Sequence, residues 1–162
     1  MQAFDQLDLV AEVAAALLGF IAVFLALSRS DGRFSQSDRH FIQALVMTSA
    51  TAIILALAPR SISLFVADDV VWYAASILAI TLGTMAMLLQ VSLQRRMAPN
   101  EAVQIHWLWH LSAWMLSAAS GILFILAIFD SVRTTAYYVS GVSLMIPLCL
   151  LVFIGVVFRR FF

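Results

Sequence analysis

Five stretches of this chain, residues 13–28, 41–58, 70–94, 102–129 and 134–158, contain no charged side chain, and together they hold most of its residues. Nearly all of its nine arginines and nine carboxylates lie at or beyond the ends of these runs. A bilayer core about 30 Å thick is crossed by roughly 20 apolar residues of helix. Hydrocarbon offers no partner to a peptide group, so a run of that length must satisfy its own backbone as a helix. The expected fold is an all-α membrane protein, a bundle of five transmembrane helices. The spans are expected at about 7–28, 36–58, 70–94, 104–129 and 134–158, within one domain covering 1–162.

Composition narrows the function classes. Apolar residues make up 64% of the chain and charged residues 11%, far from the balance of a water-soluble domain. The longest polar connection, residues 29–39, is too short to build a core of its own, so a catalytic domain outside the membrane is excluded and no enzyme is expected. No phosphate loop, nucleophile–base pair or zinc motif is present. A formal net charge of zero gives no footprint for nucleic acid. The single cysteine, Cys149, rules out an internal disulfide and a cysteine-rich metal site. Asp5, Asp8 and Glu12 make the start of the chain acidic, where a secretory leader would be basic, so the first apolar run is expected to be a retained helix.

The charges also orient the spans. Asp31–Gly32 supplies a turn after span one, and Ser35 to Asp38 has capping-box spacing at the start of span two. Pro59 is expected to end span two, because proline cannot continue the backbone ladder easily. Asp68 and Asp69 open span three, where the helix dipole favours carboxylates. With five spans, Arg29, Arg33, Arg39, Arg95, Arg96, Arg159 and Arg160 fall on one side and Arg60 and Arg133 on the other. The positive-inside rule then puts the N-terminus outside and the C-terminus in the cytoplasm of a bacterial inner membrane. Trp72, Tyr73, Tyr137 and Tyr138 are expected in the outer aromatic belt, Trp107 and Trp109 in the inner one.

Small residues mark where membrane helices meet, since close backbone approach must replace the missing hydrophobic force. Span one carries Ala11, Ala15, Gly19, Ala22 and Ala26 at helical spacing; span four carries Ala113, Ser117 and Gly121; span two carries Ala44, Thr48 and Ala52. These are read as packing seams, within one chain or between copies. Spans one and three also match at an offset of 64, Ala11, Ala15, Gly19 and Ala22 against Ala75, Ala79, Gly83 and Ala86, as a parallel two-helix repeat would.

Few side chains could carry chemistry. His106 and His110 are four apart on span four and share a face, and His40 belongs to the same end, so the three form a candidate cluster for protons or a metal. The plainer reading is bonding to backbone or headgroups beside Trp107 and Trp109. Two ligands four apart on one helix cannot grip opposite faces of one haem iron, so no cofactor is assigned. Glu12 is the candidate intramembrane acid, about 26 Å of helix from Arg29. Pro147 removes the backbone bond to Ser143 and is the expected kink of span five. Gln43, Thr48, Ser49, Thr51 and Gln90 either line a small hydrated path or bond between helices.

The functional expectation is a transport or channel-type module working as a homo-oligomer. The alternatives are an accessory subunit of a larger membrane complex and, last, a histidine-based metal or haem redox module. The expected partners are the lipid bilayer and further membrane chains.

Overall fold

The computed structural model describes residues 2–28, 36–95 and 107–161, and among these all regular structure is helical. Its elements are α1 (Gln2–Ser28), α2 (Gln36–Ile62), α3 (Asp68–Gln94), α4 (Trp107–Phe129), α5 (Thr134–Ser143) and α6 (Met145–Phe161). With α5 and α6 taken together as Thr134–Val157, five helices are long and apolar enough to cross a membrane. Successive long helices run antiparallel. This puts the α2–α3 and α4–α5 connections at one end, here the Arg60 end, and the start of α2 and the close of α3 at the other, the His40 end.

The helices stand together because each offers a buried row at helical spacing. On α1 the row is Leu7, Val10, Ala14 and Ile21; on α2 it is Leu45, Ser49, Ala52 and Leu55. Ala75 and Ala79 bury the first half of α3, and Cys149, Val152 and Val156 line the inner side of α6. Residues three or four apart stack on one face of a helix, which is why these positions act as units. Helix α2 packs on α1, α3, α5 and α6, and forms the centre of the bundle.

Two proline positions bear on the spans. Helix α2 does not stop at residue 58; it runs through Pro59 to Ile62. Pro59 has no N–H for the carbonyl of Leu55, one turn earlier. The Tyr138 hydroxyl of α5 donates to that carbonyl instead, at 2.7 Å and fully buried. A neighbouring helix thus supplies the bond that the proline omits, and the helix continues. Span five is not one uninterrupted helix. It lapses at Leu144, three residues before Pro147 and next to Ser143, whose carbonyl the proline ring crowds. The Leu148 N–H reaches the Leu144 carbonyl only at 3.4 Å, a stretched bond beside the usual 2.9–3.0 Å.

Other boundaries shift as well. Helix α1 starts at Gln2, five residues ahead of the expected position, and α3 begins at Asp68. Residues 104–106 and Ser35 lie outside the described residues.

Candidate functional site

The densest group of directional contacts lies at the Arg60 end. Tyr138 is completely buried, its ring 5.7 Å from that of Trp72 and 5.5 Å from that of Phe124. Phe4 extends the cluster, 5.4 Å from Trp72, and the Arg60 guanidinium lies 5.7 Å over the Phe4 ring. Arg60 also binds Asp8 at 3.1 Å, tying the last turn of α2 to the second turn of α1. Tyr138 was expected at the outer belt among lipid headgroups. Its height along the span suits that belt, but its direction is inward, where α2, α3 and α4 enclose it.

One turn deeper, Ser120 of α4 donates to the Gly141 carbonyl of α5 at 2.8 Å. The two helices approach closely there because position 141 has no side chain. A Cβ on Gly141 would lie 2.8 Å from Cε1 of Phe124, inside contact distance. In the middle of the bundle the Ser49 hydroxyl donates to the Cys149 sulfur at 3.6 Å, bridging α2 and α6 in a buried site. No base accompanies this pair among the described contacts, so its chemistry is that of a packing bond, not of an activated nucleophile.

The residues singled out in the sequence do not converge. His40 is buried at the start of α2, with Nε2 3.5 Å from the Gln94 amide nitrogen of α3, and its ring stands edge-on to Phe41 at 6.1 Å between centroids. His106 lies outside the described residues, and His110 falls in the first turn of α4 with its side chain likewise outside them. Among the described residues no three His, Cys, Asp or Glu side chains are grouped to hold a metal. Glu12 is exposed on α1, one turn past the Asp8–Arg60 pair, and points away from the bundle interior.

The small residues behave differently from one helix to the next. On α2, Ala44 and Ala52 are buried. On α1, Ala15, Gly19 and Ala22 are exposed; on α4, Ser117 is exposed and Gly121 half-buried. A Cβ added at Gly19 or at Gly121 meets nothing within 4 Å. The matched positions of spans one and three share an environment only in part, with Gly19 and Gly83 both exposed. Ala75 and Ala79 are buried, whereas the matching Ala11 and Ala15 are half-buried and exposed.

Several hydroxyls of the bundle bond within their own helix. Thr48 and Thr51 return theirs to the carbonyls of Ala44 and Met47 one turn back, at 2.7 and 2.8 Å. Ser76 bonds the Trp72 carbonyl in the same way at 2.8 Å. The contacts the sequence did not disclose are Tyr138 to Leu55, Ser120 to Gly141 and Asp8 to Arg60. Only the last had a local sign, opposite charges at ends that an antiparallel helix pair brings together. No family model, curated protein or solved structure matches this chain.

Proposed function

We propose that this chain is a multi-pass protein of a bacterial inner membrane, its N-terminus outside and its C-terminus in the cytoplasm, and that it works as an oligomer of transport or channel type. The five long apolar helices and the seven-to-two division of arginines support the placement. The observation that carries the assembled state is the outward position of Ala15, Gly19 and Ala22 on α1 and Ser117 on α4. Small residues let helix backbones approach closely in lipid, and no helix among the described residues buries these. A conducting path then belongs between copies, since the hydroxyls of Thr48, Thr51 and Ser76 are spent on their own helices and those of Ser120 and Tyr138 on neighbouring ones.

The second reading, an accessory subunit of a larger membrane complex, draws on the same outward faces. It is favoured by the absence of any buried Asp, Glu or Arg among the described residues, where the buried polar side chains are His40, Ser49, Ser76 and Ser120. Ion-coupled pumps usually place ionisable groups within the membrane.

Cross-linking in native membranes, followed by mass measurement in nanodiscs, tests both readings. The wild-type chain is expected as a homo-oligomer, and Gly19→Leu as a folded species of lower mass, because the added side chain has free space within its own bundle. A different protein cross-linked to the chain in place of a second copy selects the accessory reading. A strictly monomeric wild type with no cross-linked partner removes both.

A further inference from the structure

The two connections at the Arg60 end expose bulky apolar side chains where a water-facing loop would carry polar ones. Leu64 and Phe65, between α2 and α3, are 79% and 86% exposed; Phe129 and Val132, at the close of α4 and in the turn after it, are 82% and 90% exposed. Val66 adds to the first group. Apolar tips of this size in water mark a surface meant for something else.

Part of the backbone of these two segments is bonded from within. In the first, the N–H groups of Ser63, Phe65 and Val66 bond the carbonyls of Pro59 and Ile62 at 2.9, 2.9 and 3.2 Å. The Ser63 hydroxyl bonds the Arg60 carbonyl at 2.8 Å. In the second, Oδ1 of Asp130 accepts from the N–H groups of Val132 and Arg133 at 3.1 and 3.3 Å. The Thr134 hydroxyl donates to the Asp130 carbonyl at 2.9 Å. Each backbone group bonded from within lowers the cost of entering a low-dielectric surrounding. Arg60, Asp68 and Arg133 are exposed beside these tips, and Asp130 half-exposed. Charges within a turn of the apolar residues hold such a segment at the depth of lipid headgroups and keep it from sinking further.

We infer that residues 62–67 and 129–133 form a double wedge seated in the interface of the chain's own bilayer, with Leu64, Phe65, Phe129 and Val132 entering the acyl boundary between zwitterionic headgroups. The apolar surface of α3 and α4 is continuous with both tips: Val70 and Tyr73 follow the first, and Leu126 precedes the second, all exposed. The occupant is lipid because the wedge prolongs the surface that lipid already covers. The inference rests on the membrane-spanning reading proposed above.

Site-directed spin labelling separates the two. Phe65→Cys and Val132→Cys proteins are labelled and reconstituted in phosphatidylethanolamine–phosphatidylglycerol vesicles, with Ile77→Cys and Met115→Cys as exposed mid-helix references. Native Cys149 is buried, and the wild-type protein treated with the same reagent is the blank. Collision with oxygen, which concentrates in acyl chains, is compared with collision with a water-soluble nickel chelate. Labels at 65 and 132 are expected to collide several-fold more with oxygen than with the chelate, though less markedly than labels at 77 and 115. Chelate access equal to or above oxygen access at 65 and 132, with 77 and 115 still immersed, overturns the wedge and turns these tips towards a water-side protein partner. Chelate access at all four positions overturns the membrane-spanning reading itself.

Discussion

The Arg60 end and the His40 end of this bundle are built from similar residues and packed by different rules. At the Arg60 end, α1, α2, α3, α4 and α5 meet through directional contacts: Tyr138 on the Leu55 carbonyl, Ser120 on the Gly141 carbonyl, stacked rings and the Asp8–Arg60 pair. Towards the His40 end, Gly83, Thr84, Met85, Met87, Leu88 and Leu89 of α3 are exposed almost without interruption, and so are Leu111, Trp114 and Met115 of α4. Lipid is as apolar as leucine, so burial by itself gives helices little reason to associate in it. Close approach and hydrogen bonds must do so, and among the described residues those of Tyr138, Ser120 and Arg60 gather in one half. The other half of α3 and α4 is left as surface for lipid or for another chain.

If that division holds, substitutions of similar size must act unequally in the two halves. The largest effect is expected from Gly141→Leu, whose side chain meets the Phe124 ring, already 2.8 Å from the position of a Cβ. Overpacking of a tight contact costs about 1–3 kcal/mol, and equilibrium unfolding in mixed micelles should show a loss at the top of that range. Gly19→Leu is its control and should leave the unfolding midpoint of the monomer in place, measured at a dilution that separates copies. Equal losses for the two would mean that the Arg60 half is not specially packed.

Tyr138→Phe comes next. It removes the donor from a buried carbonyl that Pro59 has already deprived of its helical partner, and an orphaned buried polar group costs about 1–3 kcal/mol. The same change in a Pro59→Ala background should cost about half as much or less, because the restored N–H can reach the Leu55 carbonyl. A double-mutant cycle measures this coupling directly. Additive losses would show that the hydroxyl does not stand in for the missing backbone bond.

Those two sites also mark where the sequence was readable and where it was not. The spans could be placed because hydrocarbon excludes charge, and that constraint acts locally along the chain. The fate of Pro59 depends on Tyr138, far away in sequence, and no local rule contains it. Proline was therefore read as the end of α2, where it is only a bond transferred to another helix. Tyr138 illustrates a second limit. Distance from the last charged residue gives a side chain its height in the bilayer, while its direction around the helix axis is settled by neighbours. The small-residue rows do not tell which neighbour covers them, for a related reason. In a helix apolar on every side, Ala15 and Gly19 look no different from Ala75 and Ala79, yet only the latter alanines are buried. Of the candidate cluster, His40 is seen beside Gln94, and the other two imidazoles lie outside the described residues.

Smaller effects grade the Arg60 half internally. Ser120→Ala should cost roughly 0.6 kcal/mol, the average for a hydrogen bond between membrane helices. Arg60→Gln should cost about 0.2–1 kcal/mol, because both partners of its ion pair with Asp8 are well exposed. Molar salt should abolish the second loss and leave the first unchanged, since screening reaches exposed charges and not a buried hydroxyl. A salt-insensitive Arg60→Gln would move the weight of that contact from the Asp8 carboxylate to the Phe4 ring beneath the guanidinium.

The smallest expected effect is the one that most sharpens the contrast. Leu88 and Met115 are large and apolar but 65% and 66% exposed, so truncating either to alanine leaves no cavity within the bundle. Changes at such positions usually fall within about 0.5 kcal/mol, and monomer unfolding should register nothing more for Leu88→Ala and Met115→Ala. Interior leucines behave otherwise: Leu45, with no exposure at all, should lose about 2–5 kcal/mol on the same truncation. A cost at Leu88 or Met115 near that of Leu45 would require a covering the single bundle lacks. If that cost also fell on dilution of the protein in detergent, mass action would identify the cover as another chain. The exposed half of α3 and α4 would then be an interface, and the loosely packed end of the monomer would be the part completed by assembly.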